Sequence, residues 1–489
     1  MSVRNMRIVT VSVICRLRDA VCAGLIVLAL FATMSCVPPE EIVAVPPTAT
    51  NVYQARTATP PATREPTPEA MVFPLAAPVH VGIDSPTDEG CVDCHTDEEA
   101  LKGSMEAQEQ KPALQSEVED WASELPPVEA WQLVYIDEDR FFETMHGRYG
   151  CPTCHGGEGD TKLKETAHRG MVSQPSAAGV CWDCHVEEVA GDLGSLHTNL
   201  TGYRTVLAAR STPEKMPLLE EMMGNHCEPC HTATCGQCHV SRPARLGGGL
   251  VAGHVFENTP AINLTCAGCH GSRVADEYRG HNGTVPGDVH WVQAEMLCSD
   301  CHTGREFHGQ VEGYVHRYDG QPLPACTTKT CHPDVAEDDG VEQHGDDHLK
   351  LLSCQACHST TYKNCYGCHV AVEDGRAQFR VEPPQMALKI GRNPLQDRYR
   401  PWKYVPLRHV PITPDSFSFY GEALLPEFDA LPTWKYTTPH NIQRVTPQTE
   451  TCNACHGNAA VFLTADDLLP NELTPNMRVI VKEIPAPVD

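Results

Sequence analysis

The 489-residue sequence predicts a mostly α and irregular fold of low β content, and three observations carry that expectation. Only 6% of the residues are aromatic while proline reaches 40, a composition that suits a loop-rich chain held by covalent or metal staples better than one large apolar core. Apolar residues recur at helical spacing only in brief stretches. The 25 cysteines recur in one short pattern, Cys-x-x-Cys-His, along most of the chain.

The N-terminus carries Arg4, Arg7, Arg16 and Arg18, then an apolar run from Val21 to Met34, followed by Ser35 and Cys36. The run is too short for a membrane span and fits a signal-peptide core. Cys36 directly follows a small residue, as in bacterial lipoprotein signals, although Thr33 stands where such signals usually carry leucine. Residues 1–36 are therefore expected to be a lipoprotein-type signal peptide with Cys36 as the lipidated residue. Several acyl chains would make that tether stable. Residues 37–79 are rich in Pro, Thr, Ala and Glu and cannot bury enough surface to fold, so they read as a stalk. The protein is expected to be exported and membrane-anchored, facing the periplasm or the cell exterior. A formal charge of −27 makes nucleic acid an unsuitable partner and favours cationic ones.

The centre of the chain, residues 227–239, reads C-E-P-C-H-T-A-T-C-G-Q-C-H, two Cys-x-x-Cys-His units three residues apart. This is the attachment signature of c-type haem: two thiols form thioethers to the porphyrin and the histidine becomes the proximal iron ligand. In order, the units are Cys91, Cys94 and His95; Cys151, Cys154 and His155; Cys181, Cys184 and His185; Cys227, Cys230 and His231; and Cys235, Cys238 and His239. They continue as Cys266, Cys269 and His270; Cys298, Cys301 and His302; Cys326, Cys331 and His332; Cys354, Cys357 and His358; Cys365, Cys368 and His369; and Cys452, Cys455 and His456. The eighth has four residues between its cysteines instead of two. Residues 354–369 repeat the central cassette in expanded form, a weak internal repeat.

The eleven units use all but three of the cysteines, and Cys15, Cys22 and Cys36 remain, all in the leader. One such unit would be compatible with a redox dithiol or half a zinc site; eleven, each closed by histidine, point to eleven c-type haems (heme c). Fourteen histidines lie outside the units. A second imidazole on each iron would give saturated, low-spin centres of low potential without an open position for substrate. The expected distal ligands are His80, His146, His168, His197, His226, His254, His290, His308, His348, His409 and His440, with His281, His316 and His344 as spares. His226, directly before Cys227, is expected to serve a neighbouring iron.

Residues 80–370 hold ten units and are expected to form a decahaem domain. Residues 371–489 form a cysteine-poor, aromatic and Pro-rich arm plus the last unit and a tail, the arm extended rather than helical. Helical spacing appears at 115–125, 137–146, 191–210 and 217–223, and the tail 477–484 reads as a short strand.

With its eleven attachment units and segments such as N-H-C-E-P-C-H, C-G-Q-C-H-V and D-V-H-W, the chain from about residue 80 to 460 resembles multihaem c-type cytochromes of the bacterial respiratory or extracellular electron-transfer type. That resemblance implies an elongated fold with haems forming much of the core. It implies electron transfer from a quinol-oxidising membrane complex or another cytochrome to an external acceptor. About one unit per 33 residues would put porphyrins in near contact. The same group includes reductases of nitrogen and sulfur oxyanions, which need one iron with an unusual ligand; no Cys-x-x-Cys-Lys unit occurs here, while Lys403, Lys435, Tyr404 and Tyr436 are candidates to approach an iron. A third reading is a subunit that self-associates into a filament. No catalytic residue is assigned, and the electron-carrier reading is favoured.

Overall fold

Short helices and turns dominate the computed structural model and strands are few. The model describes residues 88–488 except 106–128, 227–233, 243–247, 251, 283–284, 310–313, 315, 317, 320–322, 337–338, 365–367, 374–375 and 382–384. The leader, Cys36, the stalk, His80, the helical stretch expected at 115–125, the first unit of the central cassette and Cys365 lie outside the described residues.

Local composition explains the short elements. The stretch 191–210, expected as one helix, is split into Val186–Asp192 and Thr201–Ala208. Between them the Asn199 side chain donates to the carbonyl of Gly194 and accepts from the Thr201 amide, at 2.9 and 3.1 Å, which closes a turn and starts the second helix. Residues 137–146 give only Glu138–Phe142, capped by Asp137. The proline-led expectation at 217–223 becomes the longest described helix, Met216–His226.

The strands of the chain lie between Tyr362 and Tyr436 among the described residues. Strands β1 (Tyr362–Asn364) and β4 (Gln385–Ala387) pair antiparallel, as do β2 (Cys368–Glu373) and β3 (Arg376–Val381). Strands β5 (Ile390–Arg392), β6 (Tyr404–His409) and β7 (Trp434–Tyr436) make a three-stranded antiparallel sheet. Val405 and Leu407 of β6 pack with Trp434, Leu463, Val479 and Ile480. A second cluster joins Ala356, Ile390, Phe462 and Val481. A third seats Leu219, Met222 and Met223 of the longest helix against Phe417, Leu424 and Leu425. Arg210 stitches the same contact, its guanidinium donating to the carbonyls of Phe428 and Leu431 at 3.0 and 3.1 Å. The stretch expected as an arm thus carries its own apolar core and packs against the preceding residues, and the described residues belong to one compact unit.

The tail forms no strand. Val479 and Ile480 instead direct their amides back to the carbonyl of Asn476, at 2.9 and 3.2 Å, continuing the turn of Leu473–Asn476. Those amides are then not available for a ladder. Among described residues 88–199 the buried hydrophobic side chains are Leu101, Phe141, Ala177 and Val189, so this half has little apolar core of its own. Among the described residues no helix is long and apolar enough to cross a membrane.

Candidate functional site

A Cys-x-x-Cys-His unit wound into one helical turn puts its two thiols on one face, three residues apart, with the histidine next along it. The chain does this at Glu89–His95, Cys151–His155, Gly236–His239, Ile262–His270, Cys298–Cys301 and Cys354–His358. The third and eleventh units use 3₁₀ turns, Val180–Asp183 and Cys452–Ala454. One bond recurs: the histidine amide donates to the carbonyl of the first cysteine, at 2.9 Å in His185, His302 and His456 and 3.0 Å in His239. The long eighth unit keeps it, His332 N to Cys326 O at 3.0 Å.

Nine motif histidines have described side chains, and each faces one histidine from outside the motifs. His95 faces His168, His155 faces His254, and His185 faces His146, with ring centroids 6.1, 5.8 and 6.1 Å apart. His239 faces His308, His270 faces His197, and His302 faces His440, at 6.1, 6.2 and 6.4 Å. His332 faces His290, His358 faces His344, and His456 faces His348, at 6.1, 6.3 and 6.2 Å. Two imidazoles bound from opposite sides to one metal ion, at about 2 Å per bond, have centroids about 6 Å apart.

The other ring nitrogen is anchored. Nδ1 of His95, His155, His239, His358 and His456 lies 2.6–3.1 Å from the carbonyl oxygens of Val134, Val172, Glu257, Gln443 and Ala486. A carbonyl only accepts, so Nδ1 carries the proton and Nε2 keeps the lone pair that binds metal. Carboxylates do the same for His302 (Glu306, 3.0 Å), His290 (Asp288, 2.8 Å) and His344 (Asp339, 2.6 Å). Burial lowers the pKa of His95, His146 and His197 and pushes His254 and His440 down to about 4, which keeps these rings neutral. For His302 burial pulls the same way, but the Glu306 bond and charge outweigh it and its pKa rises. Burial also pushes the Cys238 and Cys357 thiols up to about 11.

This donor set fits a haem. Each pair would offer one imidazole from either side of such a group. A porphyrin brings the four equatorial nitrogens that such a pair lacks.

Two predicted histidines sit elsewhere than expected. His344, expected as a spare, faces His358. His409, expected as a distal ligand, is buried in the sheet core, stacked on Trp434 at 4.8 Å with Nε2 2.8 Å from both oxygens of Glu472. A carboxylate accepts, so Nε2 holds a proton and the ring is fixed in the sheet core by Glu472 and Trp434. His316, expected as a spare, lies tilted against Tyr318 at 5.2 Å. His281, the third spare, has Nδ1 3.9 Å from Asp276 at a half-exposed position. Tyr436 packs edge-on against Tyr318, 6.1 Å away, and Arg400 lies 5.9 Å from its ring, while Tyr404 joins the cluster around Ile390. The Lys403 ammonium lies over the Tyr404 ring at 5.0 Å. Lys435 stands opposite Arg408 in the β6–β7 register. His226 ends the helix Met216–His226, and His369 lies on β2 opposite Arg380. The side chains of His226, Cys368 and His369, and residues Cys227, Cys230 and His231 altogether, lie outside the described residues.

The orienting partners were missed in the sequence. Asp288 and Asp339 stand two and five residues before their histidines, and an acidic residue so placed is a usable signal. The carbonyl partners leave none, because every residue offers one. Comparison with family models, curated proteins and solved structures finds no match to this chain.

Proposed function

We propose that this chain is an exported electron-transfer protein of the multihaem c-type cytochrome kind, with a haem at each of its eleven attachment motifs. The observation that carries the reading is the one-to-one facing of nine motif histidines by nine others. A bound haem supplies a one-electron ferric–ferrous couple.

The chain's own residues fix the rest. Paired imidazoles would hold each haem iron with two histidines, which would exclude substrate and keep reorganisation small. With His409 committed to Glu472, the facing ligands are His146, His168, His197, His254, His290, His308, His344, His348 and His440. His231 and His369 then draw on His80, His226, His281 and His316. Lipidation at Cys36 would hold the protein at a membrane, where a quinol-oxidising complex or another cytochrome delivers electrons for an external acceptor. The reductase reading finds no support at the nine pairs, since each would hold its haem with two histidines.

The test is haem content and spin state of the purified protein. Pyridine haemochrome assay and intact mass should give eleven haems per chain, with low-spin ferric signals and no carbon monoxide binding on reduction. Zinc in place of haem would reject the reading, and a strong high-spin signal would reject the pure electron carrier.

A further inference from the structure

We propose that residues 440–443 act as one clamp that sets the imidazoles of three attachment sites, the seventh, eighth and ninth, and that the buried Asn441 is the positioning residue that holds the clamp in register. The inference deepens the electron-transfer reading above and rests on it.

The segment runs between residues 277–289 and residues 358–360 and is bonded to both. Successive residues of extended backbone turn their amides and carbonyls to opposite edges. On one edge the His440 amide donates to Glu277 at 3.1 Å, the Ile442 amide donates to Asp288 at 2.6 Å, and the Ile442 carbonyl accepts from the Val289 amide at 3.0 Å. On the other, the Asn441 carbonyl accepts from the Thr360 amide at 3.1 Å and the Gln443 amide donates to the His358 carbonyl at 2.8 Å. Ser359 and Ile442 form an antiparallel bridge there.

These contacts lead to three imidazole pairs. His440 itself faces His302 of the seventh motif. Asp288 accepts the Ile442 amide on one oxygen and, on the other, the amide and Nδ1 of His290 at 2.7 and 2.8 Å. His290 in turn faces His332 of the eighth motif. The Gln443 carbonyl lies 3.1 Å from Nδ1 of His358, the histidine of the ninth motif. A slip of one residue would exchange the two edges and displace all three anchors together.

Asn441 fixes that register. It is 4% exposed, its side-chain nitrogen donates to the carbonyls of Glu277 and Pro286 at 3.0 and 2.8 Å, and its side-chain oxygen accepts from Nε2 of Gln443 at 2.9 Å. Nε2 of Gln443 also donates to the carbonyl of Gly287 at 2.8 Å. The stretch that these two amides grip is drawn together by the Asp288 amide, which donates to the Tyr278 carbonyl at 2.8 Å. It needs glycine at 280, where φ is 80° and a Cβ would lie 2.5 Å from the Gly287 nitrogen. Removing the Asn441 side chain deletes both donations to buried backbone, and the register then depends on Gln443 and the backbone bonds.

The test compares Asn441→Ala with Asn476→Ala in the full-length protein as purified. Asn476 is also buried, but it ties Thr433 to Glu472 in the sheet core. Haem content is measured first, and low-temperature electron paramagnetic resonance with spin integration follows. His440→Met, His290→Met and His344→Met assign the components of the three sites. Asn441→Ala is expected to keep every haem low-spin and to shift the g values of three haem equivalents, those of the seventh, eighth and ninth sites. Asn476→Ala is expected to lower the unfolding temperature and move none of them. Gln443→Ala, which leaves the Gln443 carbonyl on His358, is measured alongside and should shift the same three, so failure of Asn441→Ala to fold still leaves a result. A shift at one site only, at none, or equally in Asn476→Ala would overturn the clamp and leave the electron-transfer reading standing. A haem count far below eleven in the unaltered protein would overturn that reading, and the clamp with it.

Discussion

His344 faces His358 across 6.3 Å while its Nδ1 is held 2.6 Å from Asp339. Thirteen residues separate the two in sequence, and the tether leaves Nε2 of His344 directed at the ninth site. His409 is the converse case: its Nε2 is tied to Glu472 and its ring stacks on Trp434 in the sheet core.

These two positions predict opposite outcomes. His344→Ala is expected to convert one haem to a high-spin form that binds carbon monoxide when reduced. His409→Ala is expected to leave every haem low-spin and to lower the unfolding temperature instead, through loss of the Trp434 stack and a stranded Glu472 carboxylate. Electronic absorption and carbon monoxide titration of the two variants check this; a high-spin haem in His409→Ala would return that residue to the ligand set.

Ring orientation should be visible by electron paramagnetic resonance. His146 and His185 lie 18° from parallel, and His302 and His440 24°, whereas His348 and His456 are 86° apart and His197 and His270 79°. Parallel axial imidazoles split the iron dπ orbitals and give rhombic spectra; perpendicular ones leave those orbitals nearly degenerate and give a single large g value. Both signal types are expected in the oxidised protein. Replacing His348 with Met should remove a component of the large-g class.

Glu306 lies 3.0 Å from Nδ1 of His302 and gives that imidazole more anionic character than a carbonyl partner would. Glu306→Gln should keep the bond and remove the charge, raising the potential of one haem without changing its spin state. Spectroelectrochemical titration would register this as a positive shift of one component; an unchanged titration would mean that the carboxylate does not tune the site.

Arg408 on β6 pairs with Glu277, both buried, and the second oxygen of Glu277 accepts from the amide of His440 at 3.1 Å. Burial raises the Glu277 pKa against the opposing pull of Arg408. Arg408→Ala would leave that carboxylate unpaired, at a cost on the order of 3–5 kcal/mol. The double variant Arg408→Met with Glu277→Gln should lose less. Denaturant unfolding followed by tryptophan fluorescence and Soret absorbance gives both values.

Cys36→Ser is expected to release the protein from membranes into the soluble exported fraction. Fractionation followed by immunoblotting checks it, and retention of the variant would remove the lipid anchor from the reading.

Much of the chemistry is local and was therefore legible without the fold. A Cys-x-x-Cys-His unit needs one turn of backbone to set its three side chains, so the eleven motifs, their histidines and the shared turn of the long eighth unit follow from residue spacing. The scarcity of strands follows similarly from proline and short apolar runs.

Tertiary structure alone decided which histidine faces which motif. His197 reaches His270, and His440 reaches His302, across stretches of chain whose path no periodicity records. It also decided that the aromatic stretch around β6 builds a sheet core and takes His409 into it, because burial of Val405, Leu407 and Trp434 depends on partners far away in sequence. The tail turned instead of pairing for the same reason: its valines and isoleucine satisfy strand and turn alike until Asn476 captures the amides of Val479 and Ile480. Composition supplies the histidines and their number; only the folded chain brings two imidazoles face to face, because that is a relation between distant segments.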